Sequence, residues 1–334
     1  MILFTVAVKS WTLNISKNIL TRRDKLKNYK RSLLCLAGIT GLVLNASAAV
    51  AATSGSHYPL GGEGVAAGSP PPPGLHYRMY NTWYNADTLT DNNGDDVGLD
   101  FDLSAYAQIH RFVHITEKKI WGANWGYNVL IPMVSKDISI DPIGVDDNTS
   151  FALGDVILEP LALFWYRERY DAILTLALIA PTGDYDFSDA ASPGLGYWSG
   201  MLTAGGTYYL DTEKSWTISA LTRTLVHTEQ DDTHVRPGAE FTIEGGIGKQ
   251  FMVDNQWLVR PGINYCATWQ ISDDSQDGPG TIADERKEAY GVGAELNMLY
   301  LPWLLQGNLR YVHEFGAKNT AEGSSFVFTL TKSF

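Results

Sequence analysis

Cysteine is almost absent from this chain: Cys35 and Cys266 are the only two in 334 residues. Cys35 lies in a stretch read below as removable, and it has no lipobox around it. One remaining thiol forms neither an intrachain disulfide nor a thiolate metal cluster. Positive charge is also scarce. The net charge is −12, so the electrostatic footprint of nucleic-acid binding is missing and no nucleic-acid partner is expected. No segment reaches about 18 uninterrupted apolar residues, which excludes a membrane-spanning helix. Neither Gly-x-Ser-x-Gly nor His-Glu-x-x-His occurs, so the common hydrolase and zinc-protease signals are lacking. No cofactor is implied.

What is abundant is aromatic residues and glycine. Ten Trp, 17 Tyr and 32 Gly stand in a chain that is 45% hydrophobic. Tyr and Trp collect where apolar surface meets water. Residues 1–51 read as a signal peptide. Arg22, Arg23, Lys25, Lys27, Lys30 and Arg31 precede an apolar core at 32–44, too short to span a bilayer. Ala49-Val50-Ala51 is an A-x-A cleavage site, and Ala46-Ser47-Ala48 is a second candidate. About thirty residues before the core is long for a leader, which points to a true start downstream of Met1. Residues 52–74 are rich in Gly, Ala and Pro, with a stiff run at Pro70–Pro73. They read as a periplasmic N-terminal segment, either a linker or a piece folded into a barrel mouth.

From residue 75 the chain alternates. At 324–334, Phe326, Phe328, Leu330 and Phe334 interleave with Val327, Thr329, Thr331 and Ser333. That period of two marks a strand with one apolar face. A terminal strand this apolar is an aggregation-prone edge unless it pairs with the first strand and closes the sheet. Eleven more segments follow the pattern, near 75–83, 99–110, 124–136, 153–166, 173–180, 200–210, 216–226, 240–247, 257–270, 290–298 and 303–314. Short turns near 117–121, 167–169, 211–213, 253–255 and 301–302 alternate with long loops near 86–97, 137–150, 182–197, 228–237 and 272–287, and a shorter one at 316–323. An even strand number with short turns on one side is the outer-membrane layout. The fold class is therefore all-β: a transmembrane antiparallel up-and-down β-barrel of about 12 strands spanning 75–334. Both termini are expected on the periplasmic side.

Charges on a lipid face would each cost about 2–4 kcal/mol at the bilayer midplane. Parity therefore places Arg78, Tyr80, Asp100, Asp102, Tyr106, His110, His114, Arg223, Glu240, Glu244, Arg260, Glu295, Arg310 and Glu314 on the lumen wall. Lys332 falls on the outward parity of the last strand, where it would snorkel to the periplasmic headgroups. Were Lys332 in the lumen instead, the register would be off by one residue.

Catalysis is not supported. His110 and His114, four apart on a strand, are about 13 Å apart, too far to share a metal. His227 and His234 flank Asp231 and Asp232 in what reads as a solvated loop tip. Asp91 to Asp96 looks like a calcium loop, but its Gly94 is misplaced for an EF-hand and the twelfth position has no Glu. Asp146, Asp147, Asp273, Asp274 and Asp277 add acidic loops on the outer side, where divalent cations shared with lipopolysaccharide would sit.

Several words in the chain resemble a known family. Ala180-Pro181-Thr182-Gly183-Asp184-Tyr185-Asp186, then Leu195-Gly196-Tyr197-Trp198-Ser199, Gly154-Asp155 with Pro160, and Tyr311-Val312-His313-Glu314-Phe315 followed by Glu322-Gly323 are similar to the outer-membrane family labelled "MetA-pathway of phenol degradation". The early Gly61-Gly62-Glu63-Gly64 run with the proline cluster is similar too. The resemblance covers residues 57–334. It implies an outer-membrane channel for passive uptake of small hydrophobic or aromatic compounds, distantly like the long-chain fatty acid transporters. The barrel layout itself sets outer-membrane lipid and lipopolysaccharide as surroundings, and the terminal Phe334 resembles the signal that bacterial barrel-assembly machinery reads. The alternative is a structural or surface-interaction barrel with no through-path.

Overall fold

The computed structural model describes residues 55–276 and 285–334. The expected leader at 1–51, with Cys35 and both cleavage candidates, lies outside the described residues, as does Asp277. In chain order the strands are β1 (Gly74–Leu89), β2 (Phe101–Ile120), β3 (Ala123–Ile140), β4 (Val145–Leu153), β5 (Val156–Tyr166), β6 (Tyr170–Ala180), β7 (Ser199–Tyr209) and β8 (Trp216–His227). They continue with β9 (Val235–Arg236), β10 (Glu240–Lys249), β11 (Phe251–Val253), β12 (Trp257–Gln270), β13 (Ser275–Gln276), β14 (Glu288–Tyr300), β15 (Leu305–Lys318) and β16 (Ala321–Ser333).

Twelve of these close into one antiparallel barrel, in the order β10-β8-β7-β6-β5-β3-β2-β1-β16-β15-β14-β12, with β12 returning to β10. The last strand does pair with the first, from His76↔Ser333 to Leu89↔Ala321. The remaining four strands are accessory. β4 pairs with the long-loop end of β3 and leads into β5, β11 pairs with the start of β12 and follows on from β10, and β9 pairs with β13 beyond the barrel. β2 runs for 20 residues, about twice what a tilted strand needs to cross the bilayer, so the wall projects past the membrane at the long-loop end.

The outer wall is a belt of apolar side chains. Phe112, Leu158, Leu176, Leu202, Ile218, Ile247, Ile263, Val292 and Phe326 all stand exposed on it. Trp121, Trp257, Trp303, Tyr170 and Tyr208 are exposed near the short-turn rim, the place aromatic residues take at a membrane interface. On β16, Val327, Thr329 and Thr331 are buried inward while Phe326 is exposed. Lys332 has the outward parity expected of it: its Nζ donates to the Trp303 carbonyl at 2.7 Å, with the Phe334 ring 5.2 Å away.

The inner wall changes character along its length. At the long-loop end it is apolar: Phe101, Leu103, Ile138, Ile140, Ala86 and Ala321 pack with Ala191 of the loop that follows β6. Lys136 holds that loop by donating to the carbonyls of Ala190 and Ser192. In the middle the wall is polar and charged. Residues 55–73 run inside it.

Candidate functional site

Residues 55–73 are nearly neutral. Glu63 is their single carboxylate and His57 their single imidazole. A chain without regular structure must still satisfy its backbone polar groups when buried, and here the barrel wall satisfies them. Val65 has no exposed surface. Its N–H donates to Glu295 at 2.9 Å, and its carbonyl accepts from Ser219 at 2.7 Å and Thr217 at 3.2 Å. Arg310 donates to the Gly61 carbonyl at 2.7 Å, Tyr166 to the Pro71 carbonyl at 2.6 Å, and His76 meets the Pro72 carbonyl at 2.8 Å. Glycine is required at two points. A Cβ on Gly64 would collide with the Glu295 carboxylate, and one on Gly68 with the Gly206 backbone. The segment descends the bore from Gly55, beside Lys287 at the long-loop end, to Gly74, beside the Phe334 carbonyl at the other.

Charges on wall and segment pair at mid-depth. Glu63 meets Arg78 at 3.1 Å and Arg111 at 3.8 Å, and Tyr80 donates to it at 2.8 Å. Arg111 also meets Glu159 at 3.0 Å. Arg310 pairs with Glu295 at 3.0 Å. Arg223 pairs with Glu244, which also accepts from the Tyr58 hydroxyl and the Glu63 N–H. The Arg223 guanidinium lies over the Tyr58 ring, 3.9 Å from its centre.

At the long-loop end His57 is gripped. Its Nε2 meets Asp155 at 2.9 Å and its Nδ1 meets Ser199 at 2.8 Å. Ser199 also meets Nδ1 of His227 at 2.7 Å. Asp155 accepts the N–H of Gly183 at 2.9 Å and of Leu195 at 2.8 Å, and Thr182 donates to the Gly154 carbonyl at 2.8 Å. Thus Gly154-Asp155, Thr182-Gly183, and Leu195 with Ser199, parts of three of the words singled out in the sequence, converge on one imidazole of the inner segment. The arrangement resembles a serine–histidine–carboxylate line. However, Asp155, His57 and Ser199 are all buried, and the backbone N–H groups here serve Asp155 rather than a vacant oxyanion position. The contacts tie His57, and with it the inner segment, to the wall.

Nine of the residues expected in the lumen stand on the inner wall: Arg78, Tyr80, Arg223, Glu240, Glu244, Arg260, Glu295, Arg310 and Glu314. Glu240 accepts from Ser56 at 2.6 Å, and Tyr84 donates to Glu314 at 2.7 Å. The other five need correcting. Tyr106, His110 and His114 pair with Trp83, Met79 and Leu75, placing them on the outer face of β2. Asp102 shares that parity, and Asp100 sits exposed just before the strand. The parity slips because the inner face of β2 carries Phe101 and Leu103, which pack in the mouth cluster and not against lipid. The outward polar groups satisfy each other locally. Tyr77 meets His110 at 2.6 Å, Tyr127 meets His114 at 3.0 Å, and Tyr106 donates to Asn81 at 2.9 Å. Sequence reasoning missed His57, Glu63, Arg111 and Glu159. The one available signal was that Glu63 is the sole carboxylate in an otherwise uncharged stretch.

The Asp91 carboxylate accepts the N–H of Asn93 at 2.8 Å and of Asp95 at 3.0 Å, which holds it below the usual carboxylate range. The loop closes on its own backbone. Among the described residues no group of three or more His, Cys, Asp or Glu is placed to hold a metal ion.

A family model described as "Putative MetA-pathway of phenol degradation" matches residues 86–330. Among solved structures, the COG4313 outer membrane channel from Pseudomonas putida F1 is similar, with 20% identity and a TM-score of 0.69 over 80% of this chain and 97% of that one. The beta domain of the Bordetella autotransporter BrkA aligns at 13% identity and a TM-score of 0.48, over 78% of this chain and 99% of that one. No curated protein matches the sequence.

Proposed function

The chain belongs to the family of the MetA-pathway of phenol degradation, and on that premise we propose that it is an outer-membrane transporter for passive passage of small hydrophobic or aromatic compounds, closed at rest by residues 55–73. One observation carries this reading. The mid-lumen wall does not fill itself with its own side chains, as a purely structural small barrel does. It is lined with polar and charged groups that pair partly with each other and partly with a separable, non-strand segment, through Glu63 on Arg78 and Arg111, the Val65 N–H on Glu295 and the Gly61 carbonyl on Arg310. Movement of that segment exposes a continuous polar-to-apolar bore. The short-turn end faces the periplasm in this reading. Phe334 stands exposed there, where a barrel-assembly machinery would read it, and the long loops meet lipopolysaccharide.

Uptake of a panel of small aromatic compounds by a deletion strain and its complemented counterpart tests passage. Faster uptake of at least one compound class on complementation is expected, and identical rates across the panel would favour a barrel without a through-path. The His57 contacts make a separate prediction. His57→Ala removes the hydrogen bonds to Asp155 and Ser199, which together contribute about 2–3 kcal/mol. Open events in planar bilayers should become at least about tenfold more frequent, each 1.4 kcal/mol being a factor of ten, while single-event conductance stays the same. An unchanged opening frequency would show that His57 does not restrain the segment.

A further inference from the structure

A cavity of about 330 Å³ lies against the inner segment in the short-turn half of the bore, within the size range of small-molecule sites. On the β2–β8 arc, Val113, Ile115, Phe164, Ile173 and Leu221 form an apolar strip below the charged Arg111, Glu159 and Arg223. The opposite arc, from β12 round to β1, presents Arg260, Arg310 and Arg78 among Leu258 and Leu299. Four of the five arginines at the cavity have a carboxylate partner: Arg78 and Arg111 share Glu63, Arg111 also takes Glu159, Arg223 takes Glu244, and Arg310 takes Glu295. Arg260 has none within ion-pair distance among the described residues. Its Nη2 donates to the amide oxygen of Gln250 at 2.5 Å, and its Nε is buried without any hydrogen-bond partner. A half-buried guanidinium lining a cavity without a carboxylate of its own, with an apolar strip on the opposite arc, is complementary to a carboxylate on an apolar body.

We propose that this cavity binds small amphiphilic acids, an aromatic or short aliphatic body lying against the β2–β8 arc with its carboxylate on Arg260, and that Glu63 is the segment's own stand-in for such a carboxylate on Arg78 and Arg111. The inference rests on the transporter reading and narrows it: the favoured solutes are anionic acids rather than neutral hydrocarbons. Withdrawal of the segment removes Glu63 and leaves the path with a second under-neutralised cationic station, so the same chemistry serves binding and passage.

The test is equilibrium binding to the purified, detergent-solubilised full chain, with benzoate and its neutral isostere benzamide as probes, by ligand-observed NMR and calorimetry. Benzoate is expected to bind at least tenfold more tightly than benzamide. Arg260→Gln should lower benzoate affinity at least tenfold and leave benzamide unchanged, while Arg260→Lys should retain part of the preference. Equal affinities for the two probes, or benzoate binding untouched by Arg260→Gln, would overturn the proposal. If Arg260→Gln does not fold, as judged by heat-modifiable gel migration, the comparison of the two probes on the unaltered chain still decides. Passage is measured separately, by proteoliposome swelling of the chain lacking residues 55–73. Swelling without a benzoate preference rejects the acid site and keeps the transporter. Benzoate binding without swelling keeps the site and rejects the transporter.

Discussion

Deleting residues 55–73 should raise the mean conductance of the barrel in planar bilayers at least tenfold. The segment is held through its whole length by wall side chains, from Ser56 on Glu240 to Pro72 on His76. Each such bond contributes about 0.5–1.5 kcal/mol net, and those to charged groups more. Even a few kcal/mol of that total leaves the released state below about 10% populated, so rare conduction is the expected result for the intact chain. The deletion also strips Glu63 from Arg78 and Arg111. The open bore should therefore favour anions, read as a zero-current potential of the corresponding sign under a salt gradient. Glu63→Gln in the intact chain should shift selectivity in the same direction with a smaller gain in conductance. If the deleted and intact chains conduct equally, the segment does not limit passage, and the apolar cluster at the long-loop mouth does.

Glu244→Ala should destabilise the barrel by about 3–5 kcal/mol, because it leaves the Arg223 guanidinium buried without its counter-charge. Glu244 has no exposed surface and Arg223 is buried beside it. The carboxylate also holds the Tyr58 hydroxyl and the Glu63 N–H, so one substitution weakens both wall and segment. Denaturant titration followed by heat-modifiable migration checks this. Arg223→Ala combined with Glu244→Ala should recover much of the loss, since neither charge is then left alone. A double variant as unstable as the sum of the two single ones would show that the pair is not coupled.

The fold was legible because lipid enforces a period of two. Along β16, Phe326, Phe328 and Leu330 face outward without exception, and the turns alternate between short and long as a meander requires. The same rule misplaced β2. It equates apolar with outward, which holds only where the inside is wet. Phe101 and Leu103 face an inside that Ile138, Ile140 and Ala191 have made dry, while His110 and His114 face outward with tyrosine hydroxyls to satisfy them. The candidate site was half legible. Arg223, Glu244, Glu295 and Arg310 announce themselves as charges that cannot face lipid. Their partners in residues 55–73 do not, because the wall grips that segment mainly by backbone N–H and carbonyl groups, which every residue carries.

Pairing of β1 with β16 has a consequence for the order in which the molecule is made. The inner segment is joined to β1 at Gly74, and the β1–β16 seam is the suture between the first and last strands to be synthesised. A segment already laid across the open sheet is wrapped as that suture zips, like a core around which a tube is rolled. A segment left outside must thread a finished bore past five arginines. Enclosure and chain order are thus bound together topologically: the element that fills the bore is the one joined to the strand at which the wall is drawn shut.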